Sequence, residues 1–116
     1  MARFIHEGKS IDYTPGAAVA AGDVVVQGNL VGIAALSIEA NRLGALTVAG
    51  VFDIAKATGT GKALTVGTKV YWNGADKVVT ADDDNGGTPA TAYPYVGKVV
   101  QAASDTDVTV RVRLEQ

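Results

Sequence analysis

The chain has 116 residues, with 10 Lys plus Arg against 12 Asp plus Glu, one His, no Cys, a formal net charge of -2 and 47 % hydrophobic residues. That length fits one domain, and the absent cysteines exclude disulfides, thiolate metal sites and thiol nucleophiles. The scattered, near-balanced charge argues against phosphate-backbone binding and so against nucleic acid, and the longest apolar runs, such as Ala17 to Ala21, fall far short of the roughly 20 residues of a membrane helix. A complete, soluble chain without a membrane partner is expected. Val and Ala supply most of the hydrophobicity, with Thr and Gly close behind, a mixture that favours short strands between Gly turns.

Residues 1–9 are expected to form an N-terminal arm or edge strand, and residues 10–116 a single β domain. Ile11 and Tyr13 lead into Thr14-Pro15-Gly16, where Pro and Gly suit the two central places of a type II turn. Val24 to Gln27 and Leu30 to Ala34 flank Gly28-Asn29, a tight-hairpin signal because primed turns need positive φ. Ala35 to Leu43 alone has helical spacing, through Leu36, Ile38 and Leu43, and is expected to be one or two turns of helix or an irregular crossing loop. Leu46 and Val48 resume the β pattern. In Gly50 to Ala55, Phe52 and Ile54 share one strand face and Val51 and Asp53 the other.

Ala57 to Lys62 is expected to be a flexible turn. Val70-Tyr71-Trp72, Asn73-Gly74 and Val78-Val79 then repeat the first hairpin, and Gly22 to Val26 aligns with Gly67 to Tyr71, an echo that suggests a meander more than a duplication. Ala81 to Thr91 is a polar, acidic, Gly-rich loop. Tyr95 to Ala102 and Asp107 to Leu114 close the chain. In the last, Val108, Val110, Val112 and Leu114 alternate with polar residues, so one face is buried and one wet. The fold expected is all-β, a small compact β-barrel or two-sheet sandwich of short strands with at most one short helix.

Chemistry-bearing motifs are weak. Gly59-Thr60-Gly61-Lys62 superficially resembles a phosphate loop, but Lys56 and Ala63 stand where Gly and Ser or Thr are required. Asp82-Asp83-Asp84-Asn85-Gly86 offers carboxylates for a hard cation, yet Tyr93 replaces the bidentate Glu of an EF-hand loop, so a solvated acidic tip is expected. Asp76-Lys77-Val78 is a distant match to the modified lysine of a lipoyl or biotinyl domain, but Lys77 should start the return strand rather than cap the turn. His6 beside Glu7 has no nucleophile motif near Ser10, Ser37 or Ser104. No catalytic residue, cofactor or metal is therefore expected. Tyr71 and Trp72 alternate along a strand, so one should be core and the other should face solvent or a partner, while Tyr93 and Tyr95 add aromatic surface near the acidic loop.

Ile11-Asp12-Tyr13-Thr14-Pro15, Ala21-Gly22-Asp23-Val24-Val25, Val31-Gly32-Ile33-Ala34, Ala49-Gly50-Val51-Phe52, Gly67 to Trp72, Val96-Gly97-Lys98 and Asp107 to Leu114, in this order, resemble the capsid cement (decoration) proteins of tailed bacteriophages. The resemblance spans nearly the whole chain and departs from the family at Ala40-Asn41-Arg42-Leu43-Gly44, where an earlier Gly is expected. It implies a non-enzymatic, β-rich protein on the capsid exterior of the virion, present in the host cytoplasm during assembly. Such a protein binds the major capsid protein and clamps neighbouring coat subunits as a homo-oligomer, with a trimer favoured over a dimer. The residues expected to meet partners are Arg3, Phe4, Ile5 and His6 in the arm, with Trp72, Tyr93 and Tyr95. A different class of function, a small cytosolic β-barrel binding module or a lipoyl-like carrier domain, is the alternative.

Overall fold

The computed structural model describes residues 2, 8–87 and 90–115. The arm candidates Arg3, Phe4, Ile5 and His6 lie outside the described residues. Nine strands are present among them: β1 (Ser10–Tyr13), β2 (Val24–Gln27), β3 (Leu30–Ala34), β4 (Gly44–Thr47), β5 (Gly50–Ala55), β6 (Lys69–Asn73), β7 (Val78–Thr80), β8 (Tyr95–Gln101) and β9 (Thr109–Leu114). They form two antiparallel sheets, of order β1-β4-β3-β2 and β5-β9-β8-β6-β7. The chain is thus all-β, and of the two architectures expected it takes the two-sheet form rather than a closed barrel. Of the described residues, those up to Val25 with Gly32–Gly50 make one compact unit, and Val26–Val31 with those from Val51 onward make a second.

Each unit buries its own β-branched and aliphatic side chains. In the first, Ala34, Ile38 and Leu46 form a cluster packed by Ile11, Tyr13, Val19 and Val25. In the second, β9 reads as its sequence does, with Val110, Val112 and Leu114 buried and Thr109, Arg111 and Arg113 exposed. Val70, Val79, Val96 and Val99 are buried in the same unit.

The echo between Gly22 and Gly67 is a repeated device. Asp23 N–H donates to Ala20 O at 3.1 Å and Thr68 N–H to Thr65 O at 3.2 Å, while Gly22 and Gly67 both adopt φ +89°, matching a type II turn. Each Gly then opens a G1-type bulge, two residues facing one. Gly22 N–H donates to Ala34 O and Ala34 N–H to Asp23 O; likewise Gly67 N–H donates to Val99 O and Val99 N–H to Thr68 O. Reciprocal bonds between Val19 and Ile38 are matched by those between Leu64 and Ala103. Strand neighbours correspond too: Ala34 faces Leu46 on β4, and Val99 faces Val112 on β9. The two sheets therefore share one topology, with β1, β4, β3 and β2 equivalent to β5, β9, β8 and β6. They differ between the last pair. Gly28-Asn29 joins β2 to β3, whereas β7 and the acidic loop lie between β6 and β8.

Local chemistry decides four departures from the sequence reading. The segment 35–43 contains no helix, because Ile38 is committed to its backbone pair with Val19 and Asn41 adopts φ +61° in the turn closed by Arg42 N–H and Glu39 O. Asn, which tolerates the left-handed region, supplies the positive φ that this turn needs. Gly16 does not adopt positive φ, so Pro15-Gly16 is not a type II turn; Pro15 is buried and its carbonyl accepts Asn41 N–H at 2.8 Å. The positive φ after β6 falls on Lys77 (+56°), not on Gly74, because the loop runs over four residues between the paired Asn73 and Val78. Val108 is 69 % exposed, since β9 begins only at Thr109 and the Val108 carbonyl is held by Lys56 N–H at 3.0 Å. The Gly28-Asn29 hairpin, by contrast, forms as expected, with φ +61° at Gly28 alone, as a type II′ turn needs.

Candidate interaction surfaces

At one end of the second sheet, polar side chains organise loops rather than a reaction centre. Asn73 Oδ1 accepts the N–H groups of Ala75 and Asp76 at 3.1 and 3.3 Å, an Asx turn that closes β6. Asp84 Oδ1 accepts Gly86 N–H at 2.8 Å, and Asn85 Oδ1 accepts those of Gly87 and Thr91 at 2.9 and 3.0 Å. Lys62 Nζ donates to Asp82 Oδ2 at 3.1 Å, and this bond, ahead of the opposing desolvation, holds the Asp82 carboxyl below the usual carboxylate range. The lysine of the apparent phosphate loop is therefore engaged by a carboxylate. Its turn is not loose either, because Asp105 Oδ1 accepts Ala63 N–H at 2.7 Å and Asp105 O accepts Gly59 N–H at 2.9 Å. Lys77 is the last residue of its loop, beside Val78, and not at an apex.

Lys62, Asn73, Asp76, Asp82, Asp83, Asp84, Asn85 and Tyr93 line an open groove of about 650 Å³. Of the three aromatic candidates Tyr93 lines this groove, while Trp72 and Tyr95 lie on the neighbouring strands β6 and β8. Tyr93 N–H donates to Asp83 O at 2.9 Å and Trp72 N–H to Pro94 O at 2.9 Å, while the rings of Tyr95 and Tyr71 lie 5.7 Å apart at 60°. Burial pushes the Tyr95 phenol above its ordinary pKa, with the Glu115 charge adding to the effect. Tyr71 and Trp72 do not divide into one core and one exposed residue; both are half-buried. A bulge in the β6–β8 register at Tyr71, and a β7 of only three residues, leave both faces of this strand end partly covered.

In the first unit, the irregular crossover that replaces the helix carries two outward leucines, Leu36 at 78 % and Leu43 at 72 % exposure. They border an open groove of about 610 Å³, with the Glu39–Arg42 pair at 3.8 Å on its rim. Sequence reasoning placed these leucines on a helical face with Ile38, but only Ile38 is buried. In the second unit, Val51 at 55 % and Val108 at 69 % are likewise exposed. Nearby, Arg111 grips both oxygens of Asp53 at 2.9 and 3.2 Å and donates to Gln101 Oε1 at 3.0 Å. That fork lowers the Asp53 pKa and raises that of Arg111. Sequence reasoning also passed over Lys56. Only 2 % exposed, it donates from Nζ to the carbonyls of Ala57, Ser104 and Asp107 at 2.7, 2.9 and 3.2 Å.

Lys56, Lys62, Asp53, Asn73, Asp82, Asp84, Asn85 and Arg111 are thus engaged in turns, ion pairs and carbonyl clasps, and the described surface offers apolar and aromatic contact area. One family model, described as phage cement protein, matches residues 5–114. No curated protein and no solved structure matches the chain.

Proposed function

The chain belongs to the phage cement protein family, a structural role in the phage capsid, and from that membership we propose that it binds the outside of the head and stabilises neighbouring subunits of the major capsid protein. The family match over residues 5–114 is the observation that carries this reading. In it the protein is not an enzyme, assembles from the host cytoplasm, and acts as a homo-oligomer, a trimer in preference to a dimer. Binding at many symmetric sites needs no reaction centre. Several modest contacts joined in one oligomer raise the effective concentration of each and slow release by orders of magnitude. Exposed Leu36, Leu43, Val51 and Val108 and the half-buried Trp72, Tyr93 and Tyr95 supply contact area of the kind enriched in interfaces.

The test uses expanded heads that lack the protein. Purified chain should co-sediment with them to saturation and raise their melting temperature. If the heads neither take it up nor change in stability, the reading fails.

A further inference from the structure

We propose that a row of cations across the second sheet, Lys69, Lys98 and Arg113, is the face by which one copy of this chain binds a second copy, seated in that copy's groove of Asp76, Asp83 and Asp84. This rests on the homo-oligomer of the cement reading and deepens it by naming the contact.

Strand register builds the row. Lys69 on β6 stands directly opposite Lys98 on β8, and Lys98 directly opposite Arg113 on β9. Directly opposed residues share a sheet face with Cβ atoms about 5 Å apart, so three like charges run side by side over about 10 Å. Such opposition destabilises a sheet. Neighbouring cations on this sheet have their own counter-charges: Asp53 grips Arg111, two residues before Arg113, and Glu115 meets Lys98 at 3.6 Å. The exposed side chains of Lys69 and Arg113 meet no carboxylate among the described residues. An anionic partner would relieve the repulsion that the free chain carries.

The same unit displays that partner's chemistry. Lys62 holds Asp82, but Asp76, Asp83 and Asp84 have no cation of their own among the residues lining the groove. Three uncompensated carboxylates in an open concavity thus match three long cationic side chains standing in line. One chain does not join the two itself: Lys69 opens β6, whereas Asn73, at the other end of that strand, lines the groove. Charge complementarity within one sequence therefore favours a second copy over a coat subunit as occupant. A contact between two unlike surfaces is heterologous, and copies joined in that way form a ring when their rotation closes, as a cyclic trimer requires.

Lys69→Glu with Arg113→Glu reverses the row, and Asp76→Lys with Asp83→Lys reverses the groove. In sedimentation equilibrium the native chain should associate, with a dissociation constant that rises at least about tenfold between about 0.05 M and about 1 M NaCl as the charges are screened. Each double variant alone should associate at least about a hundredfold more weakly, because like charges then meet at the contact, and an equimolar mixture of the two should associate again. At concentrations where both are monomeric, Lys69→Glu with Arg113→Glu should melt no lower than the native chain, since alternating signs replace like charges across the three strands. A lower melting temperature would make the row a feature of folding and overturn the proposal. Native-like association by either folded variant, a mixture that stays apart, or association indifferent to salt overturns the contact while the homo-oligomer reading stands; weaker binding to expanded heads by such a variant would assign the row to the coat instead. A native chain that stays monomeric throughout overturns both.

Discussion

Lys56 sits where a charged side chain is costly unless every donor finds an acceptor. Its Nζ meets three carbonyls, and two of them, from Ser104 and Asp107, belong to the turn before β9. That turn also closes on itself through Ser104 N–H and Asp107 Oδ2 at 2.9 Å. The lysine thus ties the end of β5 to a segment far away in sequence. Lys56→Met fills much of the same volume but leaves carbonyls without donors, each worth roughly 1–3 kcal/mol when buried. A fall in unfolding free energy of at least about 2 kcal/mol is expected in urea titration, and a loss under about 0.5 kcal/mol would show that water replaces the ammonium without cost. Nothing local in Asp53-Ile54-Ala55-Lys56-Ala57 marks this role, because its partners are set by tertiary structure. Asn41 is the opposite case, legible once a left-handed position is required there.

Elements whose rules are local were legible in the sequence. The Gly28 hairpin, the β5 face pattern and the alternation from Thr109 to Leu114 each depend on neighbours a few residues apart. The crossover 35–43 was not, since its Leu36, Ile38 and Leu43 fit a helical stripe while the backbone of Ile38 is claimed by Val19. The duplicated turn lies between these cases: Gly22 and Gly67 could be aligned by eye, but the shared bulge and strand order appear only in three dimensions. At both glycines φ is +89° and no atom lies within 4 Å of where a Cβ would stand. Substitution there costs conformational energy alone, about 1–2 kcal/mol for an L side chain in the left-handed region. Gly22→Ala and Gly67→Ala should therefore lower stability by similar amounts in denaturant unfolding. A cost near zero at one site with the full cost at the other would break the equivalence of the two turns.

On the scale of the whole molecule, the candidate surface was partly legible. Trp72, Tyr93 and Tyr95 were picked out by residue type; Tyr93 lines the groove of the second unit, and Trp72 and Tyr95 are half-buried on β6 and β8. Leu36 and Leu43 were missed as surface residues because apolar spacing in sequence is read as burial. Their exposure separates folding from binding. Side chains at 78 % and 72 % exposure contribute little to the stability of the free chain, so Leu36→Ser with Leu43→Ser should leave its unfolding free energy within about 0.5 kcal/mol. Burial against a coat subunit would remove that apolar area from water at about 25 cal/mol per Å², a term present only in the complex. The double variant should therefore saturate expanded heads only at higher concentration and restore less of their thermal stability. Native-like binding would remove the crossover from the contact surface and leave the aromatic end of the second sheet to hold the shell.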